Sequence, residues 1–362
     1  MVITQKISET YLNKYSSLFI NKGYFSYIKM EEINNNHLDK VDKKILSAIE
    51  INARIPISEL AKVSRISRTI AEYRLKQLEK KGIIRGYYCL LDPSKFDLTV
   101  WKLWISLRST TRLERTQFFE YIEKHLRVWW YGECAGIYDA VICILAKNPH
   151  EFNAFFNALQ DKYGKIITDS AILINVSFEY HTRGFLLSKH SKLIESAFQE
   201  KPFLKKISTN SFKILRLLSY NSRVSYVELS HKSKTNVKTI KKIIQELKDS
   251  GVVVYFRPSI NTAKIGYEFY KVLLTLHNPR GGIIPSIVQW GREQQNITAI
   301  IFCVGPWQLE LEVEINSFRN LCSMLNELRD KFPDVVKSYE TLLVTKEGNY
   351  QLDLIDRIVR IE

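Results

Sequence analysis

Cysteine is scarce in this chain: five occur in 362 residues, at 89, 134, 143, 303 and 322, with no CxxC pair. An odd count without paired spacing argues against a disulfide framework and fits free, buried thiols in a reducing cytoplasm. The seven histidines show no HxxxH or His/Cys cluster with zinc spacing, so neither a metal nor a cofactor is expected. Walker A and GxGxxG loops are absent, which removes the common nucleotide-phosphate motifs. Long apolar runs are missing too. AVICILA (140–146) and AIIFCV (299–304) fall far short of the roughly 20 residues a membrane helix needs. The opening MVITQKISETYLNKY has no continuous apolar core of a secretory signal, so a cytoplasmic protein is expected. Acidic residues are outnumbered, 38 against 53 Lys and Arg, for a formal charge of +15. Such a balance suggests an anionic partner, most simply double-stranded DNA.

What is present is written twice. A shift of 169 residues superposes Ile45-Leu46 on Ile214-Leu215, Arg54 on Arg223, Glu59-Leu60 on Glu228-Leu229 and Gly82 on Gly251. The same shift continues through Lys102 on Lys271, Cys134 on Cys303 and Gly136 on Gly305. A constant offset over more than 90 residues marks a tandem duplication.

Within each copy the pattern changes midway. In the first, DKVDKKILSAIEIN places Val41, Ile45, Leu46 and Ile49 at helical spacing. Ser58 is the expected N-cap of ELAKV, and Ser67 that of RTIAEYRLKQLEKK, which Gly82 ends. IIRGYYCLL (83–91) reads as a β-hairpin or wing. From Lys102 onward, strands and helices alternate as βαββαβ. The expected fold class is therefore α+β: two tandem copies of a winged helix-turn-helix domain followed by a ferredoxin-like βαββαβ domain. The expected boundaries are 1–36 for an unassigned extension, 37–95 and 96–182 for the first copy, 183–204 for a connector, and 205–263 and 264–362 for the second, C-terminal tail included.

The helix after Ser67 turns Ala71, Leu75 and Leu78 to one side and Arg68, Thr69, Glu72, Tyr73 and Lys76 to the other. In a helix-turn-helix the second helix enters the major groove by its N-terminal residues, which suits Arg68, Thr69 and Tyr73 to base edges. Arg65, Arg74, Lys80 and Arg85 are better placed for phosphates. Ser58 to Leu90 carries eight basic residues against three acids, and Val227 to Ser259 seven against three. In the second copy Lys238, Lys241, Lys242 and Gln245 lie on the corresponding exposed face, with Lys234 in the turn before it, and these are the candidate DNA contacts there.

The segment LDKVDKKILSAIEINARIPISELAKVSRISRTIAEYRLKQLEKKGIIRGYYCLLDPSKF resembles the DNA-binding domain of the leucine-responsive regulatory (Lrp/AsnC) transcription factors. The shared features are the LDxxDxxIL opening, the AR turn, ISELA, the SxT helix start and LEKKGIIxGY. The βαββαβ unit resembles that family's amino-acid-sensing domain, with AGIYD (135–139) at its glycine-aromatic-Asp turn. The second copy departs in its recognition segment (KSKTNVKT) and its turn (VGPWQ). The resemblance implies a bacterial or archaeal transcription regulator. Its two halves would pair through their sheets as an intrachain pseudo-dimer reading adjacent major grooves, and a homodimer of such chains would fit as well.

The resemblance also implies an amino-acid or other small-molecule effector near Gly136, Tyr138 and Asp139, the carboxylate accepting an ammonium group. A rival reading is a siroheme-decarboxylase-like enzyme, a family built from the same two domains. Its His-Asn-Tyr and Arg-Glu-His runs are absent from VWWYGECAGIYDAVICIL and from NITAIIFCVGPWQLELEV, so no enzyme activity is expected. A third reading is architectural DNA binding without specific sites.

Overall fold

A computed structural model describes residues 38–197, 207–277 and 282–348. The extension 1–36, part of the connector and the end of the C-terminal tail lie outside the described residues.

Three helices open the first copy: α1 (Lys40–Ile51), α2 (Ile57–Ser64) and α3 (Arg68–Lys80). Asp39 caps α1 by accepting from Val41 N and Asp42 N, both at 2.8 Å. Ser67 caps α3 as expected, accepting from Ile70 N at 3.2 Å. Ser58 does not cap α2. That helix begins at Ile57, the cap position falls on Pro56, and no side-chain cap bond is made. The proline presets the extended entry into the helix (φ −60°, ψ 146°) but offers no side-chain acceptor. After α3, Gly82 takes φ +65° and donates to Glu79 O, while Ile83 N donates to Leu78 O. This Schellman closure turns the chain into β1 (Ile84–Leu91).

Next come β2 (Thr99–Leu107), α4 (Arg112–Lys124), β3 (Val128–Ala135), β4 (Ala140–Ala146), α5 (Pro149–Tyr163) and β5 (Ile167–His181). The connector adds β6 (Leu193–Ala197), paired with the end of β5. The second copy runs α6 (Thr209–Tyr220), α7 (Tyr226–Ser233), α8 (Val237–Asp249), β7 (Val253–Ile260) and β8 (Glu268–Leu276). It closes with α9 (Ile283–Glu293), β9 (Ile297–Val304), β10 (Leu309–Ile315), α10 (Phe318–Lys331) and β11 (Val336–Gly348).

The expected hairpin at 83–91 is not formed. β1 is one strand, and its partner is β7 of the other copy, antiparallel, with Tyr88 opposite Arg257 and Cys89 opposite Phe256. Duplication supplies a matching strand, so the apolar run satisfies its backbone groups across the copies and not by folding back on itself.

The two βαββαβ units are joined by their edges as well. β5 pairs with its own β2 from Ile167 to Ile174, then with β9 of the second copy as far as Tyr180. β11 does the same with β8 and then β3. The order β2-β4-β3-β11-β8-β10-β9-β5, with β5 also bonded to β2, closes a ring of eight strands. Alternate side chains sort to its two faces. Outward ones pack on helices: Leu103, Ile105 and Ile142 against Phe118 and Phe155, and Val272, Leu274 and Leu311 against Ile287 and Leu325. Inward ones, including Trp104, Cys134, Leu173, Leu273, Cys303 and Trp307, form a separate core.

Both helix-turn-helix units share one core with the β1–β7 ribbon. Their contacts recur in pairs 169 residues apart. Ala53 N donates to Phe256 O at 3.1 Å and Ser222 N to Tyr87 O at 3.0 Å. Asp92 N donates to Val252 O and Asn261 N to Ile83 O. Arg54 donates to Ser222 O and Val224 O, and Arg223 to Ala53 O. Each arginine also lies over a ring of the opposite copy, Arg54 at 4.8 Å from Tyr226 and Arg223 at 5.5 Å from Tyr87.

Candidate nucleic-acid interface and an internal cavity

α3 is anchored by buried Ala71, Leu75 and Leu78, which leaves Ser67, Arg68, Thr69 and Tyr73 on an exposed face. Tyr73 is 60% exposed and Ile70 46%. In the second copy Ile240, Ile243, Ile244 and Leu247 anchor α8, with Lys238, Lys241, Lys242 and Gln245 exposed.

Arg65 and Lys234 are equivalent residues in the turn before each of these helices. Both are non-glycine residues in the left-handed region, φ 59° and 55°, and both are exposed. That conformation costs an L-residue about 1–2 kcal/mol relative to glycine. Helices α2 and α7 thus both end on a basic side chain at a turn position where glycine would be easier.

The remaining candidates are partly engaged within the protein. Arg74 is turned inward, its guanidinium 2.7 Å from Asp39 and 3.3 Å from Asp42, where it ties α3 to the start of α1. Lys76 pairs with Glu72 at 2.9 Å, and Gln245 donates to Asp249 at 2.7 Å. Arg85 stands on β1, on the wall of the cavity described below.

At the glycine turn, Gly136 takes φ +152°, and a Cβ there would meet Leu342 and the Thr341 carbonyl, each at 3.2 Å. Asp139 is buried, its carboxylate accepting from Leu107 N at 2.7 Å and from Arg115 at 3.2 Å. Gln308, its counterpart, accepts from Leu276 N at 2.8 Å. An uncharged residue thus makes the same bond in the second copy, so this bond closes the turn whether or not a ligand is present. Tyr138 packs beside Trp104 and Trp307.

Unforeseen in the sequence is a chain of buried charges inside the strand ring. Lys102 (β2) pairs with Glu310 (β10), side chains 1% and 0% exposed, and Glu310 also accepts from the indoles of Trp104 and Trp307. Burial alone would favour neutral Lys102, but the adjacent carboxylate holds its pKa above the ordinary value. Lys271 (β8) pairs with Glu312 and lies 4.8 Å over the Trp130 ring. At the ring's mouth Arg183 donates to Glu314 and to Glu50 of α1, and Arg257 of β7 stands 3.5 Å from Glu50. These groups, the β1–β7 ribbon and Trp129, Trp130, Phe178 and Tyr180 enclose a cavity of about 690 Å³.

Cys134 and Cys303 fall in the same interior cluster. Burial pushes the Cys134 thiol up to about 12 and raises that of Cys303 as well, so both are inert fillers at neutral pH. Among the described residues no group of His, Cys, Asp or Glu is arranged to hold a metal ion, and no helix is long and apolar enough to cross a membrane.

Two basic helices, each in a three-helix unit fused to a βαββαβ domain, define a DNA-binding regulator architecture. The winged helix-turn-helix DNA-binding family matches residues 38–85 and 207–254. An uncharacterised helix-turn-helix transcriptional regulator of Pyrococcus abyssi is 34% identical over 115 residues, 32% of this chain and 77% of that protein. The regulator AldR of Mycolicibacterium smegmatis is 29% identical over 126 residues, 34% of this chain and 74% of that protein. Over nearly the full length the fold is similar to the siroheme decarboxylase NirDL, with a TM-score of 0.56 at 12% identity, covering 89% of this chain and 99% of that one. The chain belongs to the Lrp/AsnC family of helix-turn-helix transcription regulators.

Proposed function

We propose that this protein is a sequence-specific DNA-binding regulator in which one chain supplies both recognition helices, α3 and α8, to adjacent major grooves about one helical turn apart. The observation that carries this reading is the pair of strained, exposed basic residues, Arg65 and Lys234, at the entrances to the two helices. Arg68, Thr69 and Tyr73 read bases, while Lys238, Lys241 and Lys242 weight the second half toward phosphates. The reciprocal Arg54 and Arg223 contacts hold the two units at a fixed separation, the role that a dimer interface has in two-chain regulators. Because the helices differ, the site is asymmetric. Fluorescence anisotropy with the DNA upstream of the protein's own gene, against a scrambled fragment and across a salt series, tests this. Tight binding to the native fragment alone at physiological salt is expected. Equal binding to both, collapsing with salt, would favour an architectural role.

A second reading, a tetrapyrrole decarboxylase, is supported by the full-length fold likeness and by Tyr88, Tyr180, Arg183 and Arg257 on the cavity wall. Weighing against it, no histidine lines the cavity among the described residues, and both arginines already face Glu50. A shift in tetrapyrrole absorbance on mixing would support it.

A further inference from the structure

Asn175 lies on β5, inside the strand ring, and lines the 690 Å³ cavity. It is 6% exposed, and neither its amide nitrogen nor its amide oxygen has a hydrogen-bond partner. A buried primary amide with both ends unmet is costly, and its presence calls for a partner offering an acceptor beside a donor. Nearby, the Arg257 Nε is likewise buried without a partner.

The walls narrow the chemistry. Tyr88, Trp129, Trp130 and Phe178 provide flat apolar surfaces on which a planar ring stacks. The volume lies within the range of small-molecule sites, about 300–1,000 Å³. Six cationic residues line it, but so do four carboxylates, Glu268, Glu312, Glu314 and Glu347. Four of the cations are engaged within the protein, Lys102 with Glu310, Lys271 with Glu312, and Arg183 and Arg257 with Glu50. This leaves little positive charge for a ligand bearing many carboxylates and suits one with a single anionic tail directed at Arg85 and at Lys346, itself 3.1 Å from Glu133. An asparagine amide pairs edge-on with a ring nitrogen and its neighbouring amino group, as in adenine.

We propose that the cavity binds a nucleotide, a planar nitrogen heterocycle with an anionic tail, with Asn175 reading the ring edge between aromatic walls. The residue equivalent to Asn175 in the second copy is Val344, so each chain holds one site. The ligand is positioned to influence DNA binding, a consequence that rests on the regulator reading. Its roof strands β1 and β7 follow α3 and α8 directly, and Arg183 and Arg257 connect its wall to Glu50 of α1.

Isothermal titration of the full chain with AMP, GMP and FMN tests the site without DNA. At least one is expected to bind saturably at one per chain. Asn175→Leu should weaken that binding about tenfold or more, a loss of one well-placed hydrogen-bond pair. The same change should leave the melting temperature unchanged or raised, because it removes an unpaired amide. Asn175→Ala should show the same loss of binding should leucine disturb the fold. No saturable binding by any of the three, or equal affinity in both variants, would overturn the proposal. So would heat from uroporphyrin alone, which would instead support the decarboxylase reading. A regulator reading that failed on DNA would leave this titration unaffected.

Discussion

The two recognition helices occupy equivalent places yet present different chemistry. Where α3 shows Thr69 and Tyr73, α8 shows Lys238 and Lys242. Both keep the buried anchor, the N-cap (Ser67 and Asn236) and the closing glycine. Duplication therefore held the scaffold constant while the exposed face diverged, as expected if the first half specifies bases and the second chiefly holds the backbone. The barrel interior diverged in a similar way. Lys102 and Lys271 remain in both copies, but their carboxylates, Glu310 and Glu312, come only from the second, with Val141 and Cys143 at the first copy's positions.

This asymmetry can be broken experimentally. Lys102→Met strands Glu310, which is fully buried, and should cost about 3–5 kcal/mol in urea denaturation. Lys271→Met should cost clearly less, because Glu312 is 18% exposed and reaches solvent. Equal losses would show that the two lysines are energetically equivalent.

On DNA the expected effects are smaller. Arg68→Ala or Tyr73→Ala should lose about 1–3 kcal/mol on the specific site and erode discrimination against scrambled DNA. Lys238→Ala or Lys242→Ala should weaken all sequences alike and reduce the salt slope by about one. Anisotropy across salt separates the two patterns.

Arg65→Gly and Lys234→Gly sharpen the strain argument. Each should stabilise the fold by up to about 1–2 kcal/mol by relieving the left-handed turn. Each should nevertheless weaken DNA binding, so stability and affinity move in opposite directions.

The smallest contrast concerns α2 and α7. Ser225 caps α7, accepting from Glu228 N at 3.1 Å, so Ser225→Ala should cost about 1 kcal/mol. Ser58→Ala should be close to neutral in the same thermal melt, since the cap position there belongs to Pro56.

The repeat, the helix order and the buried faces of α1 and α3 were legible in the sequence because each depends on local spacing. The strand pairing was not. IIRGYYCLL has the same pattern whether it folds on itself or joins its copy, and only the three-dimensional closeness of β7 decides between them. In the ring Glu310 and Glu312 of LELEVEI meet lysines from β2 and β8, and Glu314 accepts from Arg183. A signal was available: Lys102 and Lys271 interrupt apolar strands at the same offset, and a lysine inside a buried strand needs a carboxylate. The family resemblance implies an effector's ammonium group at Asp139. The backbone bond of Asp139, matched by Gln308, became apparent only from the fold.

The claim at the centre of this account is that one chain reads one asymmetric site with two unlike helices. The direct test compares a footprinted native site with a perfect palindrome built from its stronger half. Anisotropy at physiological salt should show the native asymmetric site bound at least as tightly as the palindrome, and Tyr73→Ala should affect only one half of the footprint. A clear preference for the palindrome, with both halves responding to Tyr73→Ala, would contradict it.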